Sequence, residues 1–88
     1  MDAYEVLLEP AAQRDLKRIQ GKKLDALQKA IEELAENPRG PKTEKLKTSD
    51  PLYRNDSVKS HRIIFEIDDK KKTVLVRRVR DRKDAYKK

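Results

Sequence analysis

At 88 residues the chain has room for one domain, residues 1–88, with a small core. It has no cysteine, which excludes disulfides and thiolate metal sites, and its single histidine is too few for a histidine-built metal site. Charged residues make up 44% of the chain and the formal net charge is +7. The excess is one-sided: residues 1–36 hold 6 Lys/Arg against 8 Asp/Glu, whereas residues 37–88 hold 17 against 8. A basic half of this kind favours a polyanionic partner, nucleic acid or an acidic protein, over mere solubility. The apolar runs, such as 58–67, are short and broken by charge, so no membrane span is expected. Met1-Asp2-Ala3-Tyr4-Glu5 lacks the basic-then-apolar pattern of a secretory signal, so a cytoplasmic protein is expected.

In chain order, Tyr4 to Glu9 predicts a short strand, with Tyr4, Val6 and Leu8 on one face by period two. Pro10 suits the first turn of a helix that runs to about Gln20, with Ala12, Leu16 and Ile19 on one side, and Gly21 breaks it. Lys22 to Glu36 is the strongest helical pattern, with Leu24, Leu27, Ile31 and Leu34 as its buried stripe. Asn37-Pro38-Arg39-Gly40-Pro41 stops it. Residues 42–60 carry only the scattered anchors Leu46, Leu52, Tyr53 and Val58, with a poor or edge strand expected within 52–58. Arg62 to Ile67 and Thr73 to Val79 predict an antiparallel hairpin across the polar link Asp68-Asp69-Lys70-Lys71. Ile63, Phe65 and Ile67 share one face of the first strand. On the second, Val74 and Val76 fall with Arg78 and Arg80, and Leu75 and Val79 with Arg77, so the pattern leaves open which set faces the core. Residues 84–88 form a short tail. The order is β-α-α-β-β-β: an α+β fold whose two helices cover one face of a small antiparallel sheet and leave the other to a partner.

The chemistry concentrates at the end of that hairpin. Arg62 opens a core strand, either as a phosphate contact beside a scissile bond or in a salt bridge to Glu66 or another acid. Arg77, Arg78, Arg80, Arg82 and Lys83 are a dense run only partly offset by Asp81 and Asp84. Arg78 and Arg80, two apart on a strand, make a two-pronged clamp for phosphate oxygens and for a developing phosphorane. Tyr86 in the polar tail either anchors the tail or stacks on a base and donates its hydroxyl proton. His61 should point to the face opposite Arg62, and Lys59 is a further phosphate contact. The chain has no HExxH, no phosphate-loop glycine pattern and no paired-aspartate metal motif, so no cofactor and no metal are expected. Phosphodiester cleavage would then proceed by attack of a ribose 2′-hydroxyl on the adjacent phosphate, which requires RNA.

Several segments together resemble the RelE/ParE superfamily of toxins from prokaryotic toxin–antitoxin pairs. Asp15-Leu16-Lys17-Arg18-Ile19 is similar to its first-helix signature, and 31–38 to the second helix and its exit. Leu52-Tyr53-Arg54 and His61-Arg62-Ile63-Ile64-Phe65-Glu66-Ile67 are similar to its central strands, and 79–86 to its C-terminal signature. The resemblance implies a RelE-like fold and a metal-free mRNA endonuclease acting in the ribosomal A site. It implies catalytic roles for Arg62, Arg80 and Tyr86, with Arg82 at a frequently basic site beside them; Arg54, Lys59, His61, Arg78, Arg82 and Lys83 are the expected RNA contacts. It also implies a cognate antitoxin that covers the basic surface, with a toxin–antitoxin heterotetramer as one assembly. The chain departs from the family between Arg54 and His61. Ser57 stands where arginine is common, Lys59 where glycine is, and Arg54 is displaced by one residue; His61 replaces a tyrosine, and Asp81 a histidine. Two other readings therefore stand beside the nuclease: a gyrase inhibitor of the ParE branch, and a catalytically weakened RNA- or antitoxin-binding homologue.

Overall fold

The computed structural model describes residues 3–46 and 51–81. Its elements are β1 (Glu5–Leu8), α1 (Pro10–Lys17), α2 (Lys22–Glu36), β2 (Thr43–Lys45), β3 (Leu52–Asn55), β4 (His61–Asp68) and β5 (Thr73–Asp81). The α+β order matches the expectation, with one strand more. β2 is three polar residues with no hydrophobic pattern, held at the sheet edge by pairing with β3. All five strands form one sheet in the order β1-β5-β4-β3-β2, antiparallel except for the parallel β1–β5 pair.

Pro10 opens α1 where its missing N–H leaves no carbonyl unpaired. The helix ends at Lys17, earlier than the pattern suggested. There the N–H groups of Arg18 and Ile19 bond back three residues, to the carbonyls of Asp15 (3.2 Å) and Leu16 (3.1 Å), and tighten the turn. Gly21 then adopts φ 71°, a conformation that side chains disfavour, and turns the chain into α2. Leu27, Ala30, Ile31 and Leu34 of α2 are buried with Ala12 of α1 against Ile63, Phe65, Val74, Val76 and Val79 of the sheet. Phe65 is fully buried and stacks on Tyr53, with ring centroids 5.8 Å apart. Burying it stabilises the fold by roughly 1.5–3 kcal/mol relative to exposure.

The two-parity ambiguity of the last strand has a physical resolution. Ile64 pairs with Arg78, but the next residue, Phe65, pairs with Val76, so Arg77 is an extra residue in β5. This bulge reverses the alternation. Val74 and Val76 before it, and Val79 after it, all reach the core. Arg78 and Arg80 are thereby placed opposite Ile64 and Arg62, on the face without helices among the described residues.

At the far pole of the sheet, the β4–β5 turn is tied to the rest of the fold. Asp69 accepts hydrogen bonds from the Tyr4 hydroxyl (2.7 Å) and from both terminal nitrogens of Arg39 (3.0 and 2.9 Å). The Arg39 and Tyr4 hydrogen bonds hold the Asp69 carboxyl at about 2. Arg39 also lies over the Tyr53 ring.

Candidate nucleic-acid interface

Past Val76, β5 runs beyond the end of β1, which pairs only with Thr73 to Val76. The exposed strand edge there is capped by Asp15 of α1. Its carboxylate accepts the backbone N–H of Val79 at 2.9 Å, Nε of Arg78 at 2.8 Å and Nη2 of Arg78 at 3.1 Å. Burial pushes the Asp15 carboxyl up, but the Arg78 hydrogen bond, the Val79 N–H and the nearby guanidinium charges together hold it below its ordinary value. Arg78 is raised correspondingly, chiefly by its hydrogen bond to Asp15. Arg78 therefore shares a face with Arg80, as the clamp reading required, yet its guanidinium is engaged by Asp15.

Arg62 and Arg80 are direct cross-strand partners on β4 and β5. Directly opposite residues in an antiparallel pair hold their Cβ atoms about 4.5–5.5 Å apart, and like charges there destabilise a sheet. Among the described residues Arg80 makes no ion pair. The repulsion between Arg62 and Arg80 is offset in part by the Asp56 carboxylate, which pairs with Arg62. An anion seated between the two would relieve it. A phosphate, with several oxygens to share between two planar forks, suits the pair.

β3 adds a third guanidinium on the same face. Arg54 lies opposite Ile64 and Glu44, and its Nη2 donates to Glu44 Oε2 at 2.7 Å. Between Arg54 and Arg62 stands Asp56. Its Oδ1 accepts from Arg62 Nε at 2.9 Å, and its Oδ2 lies 3.5 Å from Arg54 Nε. That second approach falls outside hydrogen-bond geometry, so the buried Arg54 Nε–H is left without a hydrogen-bond partner. The patch is thus an alternating row, Glu44, Arg54, Asp56, Arg62, continued by Arg80.

The other sequence-predicted residues fall elsewhere. His61 is 7% exposed on the core side of β4, with its Nδ1 2.8 Å from Ser60 Oγ, so the structure does not bring it to Arg62. It lines, with Arg18, Arg80 and Asp81, a groove of about 500 Å³ along the rim of β5. Lys59 is exposed in the turn before β4. Glu66 pairs with Arg77, as does Glu9. Among the described residues Asp56 is an acid that meets Arg62. Arg82, Lys83 and Tyr86 lie outside the described residues.

Two acids with clear positions were not singled out from sequence. Asp15 had a signal: with Ala12, Leu16 and Ile19 it completes an i, i+3, i+4, i+7 stripe, so an acid sits on the buried side of α1. Asp56 had none beyond its spacing two residues after Arg54. Its place follows from Asn55, whose buried amide donates to Thr43 Oγ1 at 3.2 Å and whose Oδ1 accepts from Ser57 N and Oγ. That local turn is built by Ser57, the residue standing where the resembled family commonly has arginine.

No helix among the described residues is long and apolar enough to cross a membrane, and no group of three or more metal-ligating side chains occurs there. Residues 6–86 match the family described as the ParE toxin of type II toxin–antitoxin system, parDE. Among solved structures the chain is similar to the toxin–antitoxin complex RelBE2 from Mycobacterium tuberculosis, at 25% identity and TM-score 0.79, covering 90% of this chain and 98% of that one. It is similar to the RelB–RelE antitoxin–toxin complex from Methanococcus jannaschii, at 27% identity and TM-score 0.71, covering 91% and 94%. The YoeB/ParE toxin from Agrobacterium tumefaciens shares the fold at 14% identity and TM-score 0.74, covering 88% and 96%. No curated protein matches the chain.

Proposed function

The chain belongs to the ParE toxin family of type II toxin–antitoxin systems, and from that premise we propose that it is a ribosome-dependent endoribonuclease that cuts mRNA in the A site. The observation that carries this reading is the cross-strand Arg62–Arg80 pair on the sheet face opposite α1 and α2, with Arg54 beside it. Three guanidiniums converge on one surface of a rigid sheet, where bound backbone phosphates are oriented before reaction. In the transition state charge builds on the non-bridging oxygens, and Arg62 and Arg80 are the donors aimed at it. The nucleophile is the 2′-hydroxyl 5′ to the scissile phosphate. Tyr86, by its place in the sequence, stacks on a base or protonates the leaving oxygen. Arg82 and Lys83 extend the backbone contact, and Lys59 reaches the same strand from the turn before β4. Two RelB–RelE-type complexes among the similar structures support a cognate antitoxin that covers this surface. A cytoplasmic site of action fits the ribosome as target.

The test is induction without antitoxin. Translation should arrest, with mRNA cut only when ribosomes are present. Arg80→Ala and Tyr86→Phe should relieve the arrest while the proteins stay folded. Unaltered toxicity in both variants removes the assigned roles. DNA damage with intact mRNA would instead identify gyrase as the target, and neither effect would leave a binding homologue.

A further inference from the structure

We propose that Asp56 is the general base of the site: its Oδ2 takes the proton from the attacking 2′-hydroxyl. The inference rests on the nuclease reading and supplies what that reading lacks, a proton acceptor beside the arginines.

Among the described residues the other candidates lie off this row of arginines or at its outer end. His61 is buried on the opposite face of β4. Glu66 is four residues along β4 from Arg62, about 13 Å at strand rise, and is paired with Arg77. Asp81 lies opposite His61, on the alternate parity from Arg80. Glu44 sits at the outer end of the row, on Arg54.

Asp56 meets the geometric requirements. Its Oδ1 accepts a hydrogen bond from Arg62 at 2.9 Å, while its Oδ2 is held only by the ion pair to Arg54 Nε at 3.5 Å, outside hydrogen-bond geometry, among the described residues. Its side chain is 26% exposed, open enough to meet a ribose. Its backbone is fixed: the Asp56 N–H donates to the Lys42 carbonyl at 3.0 Å, and the Asn55–Ser57 turn sets the direction of the chain around it. A carboxylate among phosphate-binding guanidiniums weakens phosphate binding by repulsion, so a role in affinity does not account for it. General-base work does: the anion is needed at the moment when the 2′-hydroxyl, 3–4 Å from the phosphorus, must lose its proton.

The step balances. Asp56 Oδ2 accepts the proton as the 2′-oxygen–phosphorus bond forms. The phosphorus–5′-oxygen bond breaks, and the leaving oxygen takes a proton from water. The products are a 2′,3′-cyclic phosphate and a 5′-hydroxyl. Asp56 returns its proton to water, and no metal or redox partner enters.

The experiment uses the full chain with mRNA in programmed ribosomes. Asp56→Asn should lower single-turnover cleavage by about 10²–10³-fold. It should bind an mRNA carrying a 2′-O-methyl group at the cut site as tightly as the natural protein, or more tightly. Asp56→Ala should regain at least tenfold of its lost rate on addition of formate, a small external base, and none with chloride. Cleavage by Asp56→Asn at the natural rate overturns the assignment while leaving the nuclease reading in place. Equal loss of cleavage and of binding, with no formate rescue, shows a structural role only and also overturns it. No cutting by the natural protein overturns the proposal together with the reading on which it rests.

Discussion

Asp15 offers a test of how the fold holds its arginines in place. Truncation by Asp15→Ala removes one hydrogen bond to the Val79 backbone and two to Arg78. The carboxylate side chain is only 11% exposed, whereas Arg78 is 43% exposed and can recover much of its solvation in water. The Arg78 pair is therefore placed at the low end, about 0.5–1 kcal/mol after screening. The Val79 N–H loses a charge-assisted bond at a partly buried strand edge, for about 1–2 kcal/mol. The total is roughly 1.5–3 kcal/mol, which in a domain of this size lowers Tm by about 6–24 °C. Denaturant unfolding of Asp15→Ala, Arg78→Ala and the double variant apportions it. The pair coupling should be near 1 kcal/mol or below, with most of the loss persisting when Arg78 is already alanine. A loss below about 0.5 kcal/mol for Asp15→Ala would refute the edge-capping argument. A loss that vanishes in the Arg78→Ala background would show that the ion pair, and not the backbone cap, was the stabilising part. The pH dependence has a definite sign. The folded Asp15 carboxyl is held below its ordinary value, so its contribution is fully present above the unfolded value of 3.8 and is lost as pH falls through the folded value.

Further outcomes rest on three residues, Arg77, Phe65 and Asp69. Deleting Arg77 removes the bulge but keeps the facing, since Val76 is then followed directly by Arg78 in regular alternation with Val79 still inward, so this variant should still unfold cooperatively by calorimetry. Arg77→Ala, which keeps the bulge and loses half-exposed pairs with Glu9 and Glu66, should cost about 1 kcal/mol or less. Phe65→Ala should destabilise by about 3–5 kcal/mol in urea unfolding, because a fully buried ring stacked on Tyr53 leaves a cavity. Asp69→Asn should flatten the part of the acid-unfolding curve between pH 4 and 2, since the natural carboxyl, held at about 2, gives up its contribution in that window as pH falls.

The helices and the central hairpin were legible in the sequence because their apolar residues carry the period. Lys22 to Glu36 and the Ile63, Phe65, Ile67 alternation reported both boundaries and facing. β2 was not legible, because three polar residues at a sheet edge are ordered by pairing with β3 and not by hydrophobic burial. The facing of the arginines was hidden for a different reason. One extra residue at Arg77 reverses the alternation, and a bulge leaves no mark in composition beyond two apolar sets of opposite parity, Val74 and Val76 against Val79. Those two sets were visible, and their coexistence was the signal. Within the site, Arg62 and Arg80 could be picked out as residues but not as neighbours. The acids Asp15 and Asp56, which decide which arginines stay available, depend on tertiary placement. Asp15 takes up Arg78. Asp56 stands between Arg54 and Arg62.

The central claim is that the Arg62–Arg80 face cuts RNA through its own 2′-hydroxyl. The direct measurement is end-group analysis of mRNA cut in programmed ribosomes, with a single 2′-deoxynucleotide placed at the cut site in a parallel sample. The account predicts a 2′,3′-cyclic phosphate and a 5′-hydroxyl from the natural mRNA, and an uncut message from the 2′-deoxy sample. A cut that survives the 2′-deoxy substitution, or no cut in either sample, would contradict it.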